Sequence, residues 1–187
     1  MRAFRWRSTL QPAFVAASVA WAALLLLTPL VASRPRASEG AAALVLAVYG
    51  IGSLLCHQLP ARSYRAWSAQ MPVCARCAGI YFGAAIAAIL AVAPLKRRPT
   101  AAWRAGRRPY VGHRFSGAVG SVVEYCFGGA NASRNALIVA VIPTLATLVY
   151  EWTTGDVPAH WIRTAAGVPI GAVAAWLVVR ETAWRSS

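Results

Sequence analysis

The sequence predicts an all-α integral membrane protein, a single domain over residues 1–187 that forms a bundle of about five transmembrane helices. The chain is 58% hydrophobic and only 13% charged, a balance that soluble globular domains do not show. Five apolar runs approach or reach the ~20 residues that cross a bilayer. Tryptophan, which prefers the headgroup zone, falls near the ends of these runs at Trp6, Trp67, Trp103, Trp152, Trp161 and Trp184.

These runs define the predicted helices, which cover residues 12–32, 41–55, 78–95, 136–152 and 162–179. The first resembles a signal peptide because arginines precede it, but its length favours a retained helix. The second, extended to Gln58, places Cys56 and His57 at the water boundary, where polar groups cost little to accommodate. The third and fifth carry glycines four residues apart, a spacing that predicts close contact between two membrane helices.

A basic, irregular connector is predicted over residues 96–134, within a chain whose net charge is +14. In a membrane protein such charge is explained by topology and by contact with anionic lipid headgroups, so we expect lipid and not nucleic acid as its partner. Positively charged loops stay in the cytoplasm. We therefore expect a multi-pass protein of the bacterial inner membrane, with the connector inside and the loop between the second and third helices on the non-cytoplasmic face.

That loop carries a cluster of metal-capable side chains. Cys56 and His57 are followed after sixteen residues by Cys74 and Cys77, so three of the four cysteines and one of the three histidines lie close in sequence. Three thiolates and an imidazole complete a tetrahedral Cys3His shell. Soft sulfur ligands select zinc or copper(I) and disfavour magnesium and calcium. The pattern favours a bound transition metal, and Cys126 is expected to be an ordinary thiol.

Two other interpretations use the same cysteines. A CxxC pair at a helix N-terminus has a lowered thiol pKa, and Arg76 adds positive charge, so Cys74 would attack as a thiolate with Cys77 and Cys56 as partner thiols. A structural disulfide joining the second and third helices is the other. The sequence leaves open whether the protein is an enzyme.

Polar residues from two other places are predicted at the same membrane edge. Glu151, Asp156 and His160 lie in or beside the loop before the last helix, where each would be a ligand, a partner that orients His57, or only a helix-end residue meeting water. Arg62 and Arg65 are candidates for contact with an anion or with lipid headgroups.

The cysteine loop resembles a family of bacterial membrane proteins known as domain of unknown function 2085. The resemblance rests on Cys56-His57-Gln58, on Arg62-Ser63-Tyr64 and on Pro72-Val73-Cys74-Ala75-Arg76-Cys77-Ala78-Gly79-Ile80-Tyr81, with a weaker likeness from Pro143 to Gly171. It implies a small helical membrane protein whose signature includes Ser63 and Arg76 beside the cysteines. It does not choose between metal and redox chemistry. The tract from about residue 105 to 135 is longer than the connector usual in that family.

Overall fold

The computed structural model describes residues 3–35, 38–92 and 132–184. Five helices form this part of the chain: α1 (Ala3–Ala32), α2 (Glu39–Leu55), α3 (Ala75–Val92), α4 (Ala132–Thr154) and α5 (His160–Trp184). The prediction of an all-α fold is confirmed. Residues 96–131 of the predicted basic connector, with Cys126, lie outside the described residues, and its last three residues begin α4.

Three of these helices are long and apolar enough to cross a membrane. The candidate spans are Leu10–Ala32, Ser133–Thr154 and His160–Val179. Helices α2 and α3 are apolar but shorter, with stretches of 17 residues or fewer at Glu39–Leu55 and Ala75–Ala91. They fall slightly below the ~20 residues that a perpendicular span needs. By length and composition, three of the five predicted spans are therefore candidates for crossing a membrane.

Helices α3 and α5 make the most extensive contact in the bundle, as the paired glycines predict. A Cβ atom added to Gly79 would collide with the carbonyl oxygen of Thr164, and one added to Gly171 would collide with that of Ile80. The same holds for Gly83 and Gly167. Because lipid offers no hydrophobic drive between helices, such backbone contact provides the packing that joins them.

The loop between α2 and α3 folds into a compact cap on the end of the bundle where α2 ends and α3 begins. It contains a 3-10 turn at Pro60–Arg62 and two short antiparallel strands, β1 (Arg65–Ala66) and β2 (Ala69–Gln70). Trp67 and Ser68 connect the strands with φ angles of 51° and 68°, as a two-residue hairpin turn requires. Met71 and Val73, which follow β2, are buried in one core cluster with residues of α1, α2 and α3. The cap is thus anchored in the bundle.

Candidate functional site

Three cysteine thiols meet where the cap joins the bundle. Cys56 ends α2, Cys74 immediately precedes α3, and Cys77 lies in the first turn of α3. Their three sulfur atoms lie within 4.8 Å of one another. The backbone N–H of Cys74 also donates a hydrogen bond to Cys56 Sγ, at 3.3 Å. The structure therefore brings together three of the four ligands that the sequence suggests.

Gln58 holds the two cysteine-bearing segments together. Its side-chain amide donates to the carbonyl oxygens of Tyr49 in α2, at 2.9 Å, and of Pro72 just before Cys74, at 2.7 Å. The backbone of Gln58 is left-handed, with φ at 47°, which costs of order 1 kcal/mol for a residue with a Cβ. Gly52 makes room for this crossing, because a Cβ there would collide with the Pro72 carbonyl oxygen. These contacts set the separation of Cys56 from Cys74.

His57 lies outside the thiol group. Among the described residues, the ligand atoms that cluster within 4.8 Å are those of Cys56, Cys74 and Cys77 alone. Cys56 has an extended backbone, with φ −150° and ψ 138°, and successive side chains of an extended chain point to opposite sides. The His57 side chain is exposed, although it borders the same cleft. Its role as a fourth ligand stays a prediction.

The thiols differ in acidity. A hydrogen bond from the Cys77 side chain lowers the pKa of Cys74 to about 5, against the opposing effect of burial. The Cys77 backbone, Cys56 and the positive charge of Arg163 act in the same direction. Cys74 is therefore a thiolate at neutral pH, the form that both metal binding and nucleophilic attack require.

This acidity predicts an unusual alkylation profile for the metal-free protein. The rate at which iodoacetamide modifies Cys74 should rise through about pH 5 and stay nearly constant above about pH 6.5, because the thiolate is then fully formed; an ordinary thiol with a pKa of about 8.5 would still gain reactivity there. Peptide-resolved mass spectrometry measures the rate. In Cys77→Ala the profile should shift to higher pH. A wild-type rate that keeps climbing beyond pH 8 would contradict the lowered pKa of Cys74.

One buried carboxylate contacts three arginines. The Glu151 side chain is only 3% exposed, and its Oε1 atom lies 3.0 Å from guanidinium nitrogens of both Arg76 and Arg163. Its Oε2 atom lies 3.5 Å from a guanidinium nitrogen of Arg62. Arg76 also donates to Thr147 Oγ1 at 3.0 Å. Glu151 thus pairs with arginines and not with His57. It belongs to α4, whereas its partners come from the cap, α3 and α5.

Arg163 is a member of the site that the sequence analysis missed. Its side chain is 1% exposed, and it donates to the carbonyl oxygen of Arg62 at 3.4 Å. The sequence signal for Arg163 was its position as the second residue of the apolar run 162–179, because an ionisable residue inside a membrane span indicates a functional role by default.

The remaining predicted residues take supporting positions. The His160 ring packs against Tyr64, with ring centroids 5.3 Å apart and a tilt of 40° between the ring planes. The Tyr64 and Thr164 hydroxyls share a 2.8 Å hydrogen bond. Ser63 is buried and donates to the Leu59 carbonyl oxygen at 3.1 Å. Asp156 is exposed beyond the end of α4. The contacts of Tyr64 with His160 and Thr164 join the cap to α5, and neither involves a cysteine.

A cleft of about 400 Å³ opens beside the thiols. Its walls include all three clustered cysteines and all three arginines that contact Glu151, together with His57, Gln58 and two leucines. Trp67, Trp152 and Trp161 are exposed at this end of the bundle, where tryptophan marks the membrane boundary. The cleft allows a ligand to approach the three cysteines.

Comparison with known proteins supports the assignment to one family. The family described as "Predicted membrane protein (DUF2085)" matches residues 56–177, which include every cysteine of the thiol group. A 45-residue segment is 44% identical to an uncharacterised protein, MJ1492, of Methanocaldococcus jannaschii. That segment covers 24% of this chain and 29% of the relative, so the match spans under a third of the relative's length. No solved structure matches the chain.

Proposed function

The chain belongs to the predicted membrane protein family DUF2085, and we propose that in this member Cys56, Cys74 and Cys77 bind one transition-metal ion at the membrane edge. The observation that carries the proposal is the convergence of three sulfur atoms within 4.8 Å of one another. They come from two helices and the loop between them, so the whole cap serves to assemble them.

The chemistry of the donor set selects the metal. Three thiolates favour zinc or copper(I), because soft sulfur ligands bind these ions far better than magnesium or calcium. Zinc normally takes four ligands, and copper(I) is satisfied by three sulfurs. A fourth zinc ligand would come from His57 after a side-chain rotation, or from a small molecule in the cleft. Three protein ligands with one exchangeable position are typical of reactive zinc sites and not of purely structural ones.

Elemental analysis of the detergent-purified protein tests the proposal. We expect about one zinc or copper per chain, and a loss of at least about tenfold in metal affinity in Cys74→Ser and Cys77→Ser, because each removes one of three ligands. The matched control is Cys126→Ser, which changes the remaining cysteine of the chain and should leave the metal content as it is.

His57→Ala separates the two possible sources of a fourth ligand. A loss of zinc would make His57 a ligand in the loaded protein. Retention of zinc would indicate that the fourth ligand is a small molecule bound in the cleft. Absence of metal from wild-type protein that has also been supplied with zinc and copper(I) would overturn the metal proposal.

Thiol–disulfide exchange is the second candidate, favoured by the lowered pKa of Cys74. In that reaction the Cys74 thiolate attacks a partner disulfide and expels one partner thiolate. Cys77 then loses its proton to the departing partner thiolate as it attacks the mixed disulfide and forms a Cys74–Cys77 bond, so two electrons pass to the partner. Thiol counting and elemental analysis together discriminate the candidates. Thiol–disulfide exchange predicts that the Cys77→Ser variant accumulates a mixed disulfide through Cys74 and that the wild-type protein contains no metal.

A further inference from the structure

Positive charge exceeds negative charge beside the thiols. Arg62, Arg76 and Arg163 all contact the single carboxylate of Glu151, so three guanidinium groups share one counter-charge. All three arginines line the cleft, and none of the described residues lining it is acidic. Glu151 is not among the residues that line the cleft.

Burial increases the effect of this excess. The side chains of Arg163 and Arg76 are 1% and 13% exposed, so water hydrates their charges poorly. Electrostatic attraction is stronger where water is excluded, and a cleft lined by one sign of charge concentrates ions of the opposite sign. The side chain of Arg62 is 40% exposed. It is the member of the group that an incoming ligand meets first.

The thiols do not fully balance this charge. In the metal-free protein, a thiolate at one of the three cysteines would offset only one of the two excess positive charges. Zinc held by three thiolates carries one negative charge in total and leaves the same excess. Copper(I) held by three thiolates would carry two negative charges and neutralise it. The excess is thus a property of the metal-free and zinc-loaded states.

From these observations we propose that the cleft is a binding site for a phosphate-type oxyanion, held by Arg62, Arg76 and Arg163 next to the cysteine sulfurs. Arginine binds such groups in two-pronged fashion, with two N–H donors on two oxygens. A cleft of about 400 Å³ has room for a phosphate group and accompanying water. The oxyanion is either free phosphate or a phosphate of a lipid headgroup, because the cleft opens at the membrane edge.

Two alkylating reagents that differ in charge test the site in metal-free protein. Iodoacetate and iodoacetamide both alkylate sulfur and release iodide, but only iodoacetate is an anion. The rate of each at Cys74 is measured by mass spectrometry, and their ratio reports the local preference for an anion. Arg62→Gln should lower this ratio about threefold or more, because it removes the arginine at the mouth of the cleft. Since the assay uses no metal, its outcome is independent of the metal proposal.

Arg65→Gln is the matched control. Arg65 lies three residues from Arg62, is exposed on β1, and does not line the cleft. It should leave the ratio unchanged, and Arg62→Lys, which keeps the charge, should retain most of the wild-type value. Inorganic phosphate at millimolar concentration should lower the wild-type ratio more than sodium chloride of equal ionic strength does. Equal ratios in Arg62→Gln and Arg65→Gln, or equal effects of phosphate and chloride, would overturn the proposal.

Lipid nanodiscs distinguish the two sources of the oxyanion. If a headgroup occupies the site, replacing phosphatidylcholine by phosphatidylglycerol should lower the iodoacetate preference of the wild type more than that of Arg62→Gln, and added phosphate should have no further effect. If free phosphate is the ligand, the lipid exchange should lower the ratio equally in both proteins, because the anionic bilayer repels iodoacetate, and phosphate should still compete in the wild type. A preference for iodoacetate that neither phosphatidylglycerol nor phosphate reduces would exclude both sources and refute the site.

Discussion

Replacing Glu151 by Gln should destabilise the protein by about 3 kcal/mol or more. The substitution keeps the shape of the side chain but removes the one negative charge that three arginines share, and two of those arginines are nearly inaccessible to water. Breaking a buried ion pair from one side leaves an uncompensated charge, which typically costs 3–5 kcal/mol. Thermal unfolding in detergent, followed by circular dichroism, measures the change.

Asp156→Asn is the matched control, because it also removes one carboxylate charge, five residues along the chain, but from an exposed position. It should change stability by less than about 0.5 kcal/mol. A second variant keeps the test informative if Glu151→Gln fails to fold. Adding Arg62→Gln to Glu151→Gln removes one of the uncompensated charges and should recover part of the lost stability. Equal unfolding temperatures for Glu151→Gln and Asp156→Asn would refute the importance of this carboxylate.

The second large effect is expected from Gly171→Ala. A Cβ atom at this position would collide with the carbonyl oxygen of Ile80, and the backbone nitrogen of Ala84 would be only 2.9 Å away. Neither obstacle is a flexible side chain, so α3 and α5 must separate to admit the methyl group. We expect a loss of about 3 kcal/mol, at the upper end of the usual cost of overpacking. Unfolding of the purified protein by increasing SDS in mixed micelles measures it.

Gly50→Ala makes the same chemical change in α2, at a position with nothing within 4 Å of the added Cβ. Because alanine favours helix more than glycine does, by about 1 kcal/mol in water, the control should hold or raise stability. A similar loss in both variants would show that α3 and α5 do not depend on close backbone contact.

The thiol group could be predicted from the sequence because its geometry is largely local. Cys74 and Cys77 lie at one helix start, and a single loop returns the chain from Cys56. The α3–α5 contact was predictable for a similar reason, since glycines spaced four apart on each helix indicate a flat face. His57 shows the limit of this reasoning, because its direction depends on whether Cys56 is helical or extended.

The carboxylate cluster was beyond sequence reasoning alone. Glu151 meets Arg76 across 75 residues, and the contact depends on the registration of α4 against α3 and α5. That registration is set by packing details such as the hydrogen bond from Thr144 to the Ala166 carbonyl oxygen, at 2.8 Å. Nothing in the spacing of Arg62, Glu151 and Arg163 along the chain indicates that they meet.

The interlocked glycines also hold only part of the cleft wall together. Helix α3 carries Arg76 and Cys77, and Cys74 immediately precedes it; Arg163 lies on α5. These residues are therefore held by two helices whose backbones touch. Cys56 and Arg62 are carried instead by the end of α2 and the cap, and α2 makes its main helix contact with α1. The distance from Cys56 to the other two sulfurs therefore depends on the hydrogen bonds of Gln58 to Tyr49 and Pro72, and not on the glycine contacts that fix the rest of the cleft.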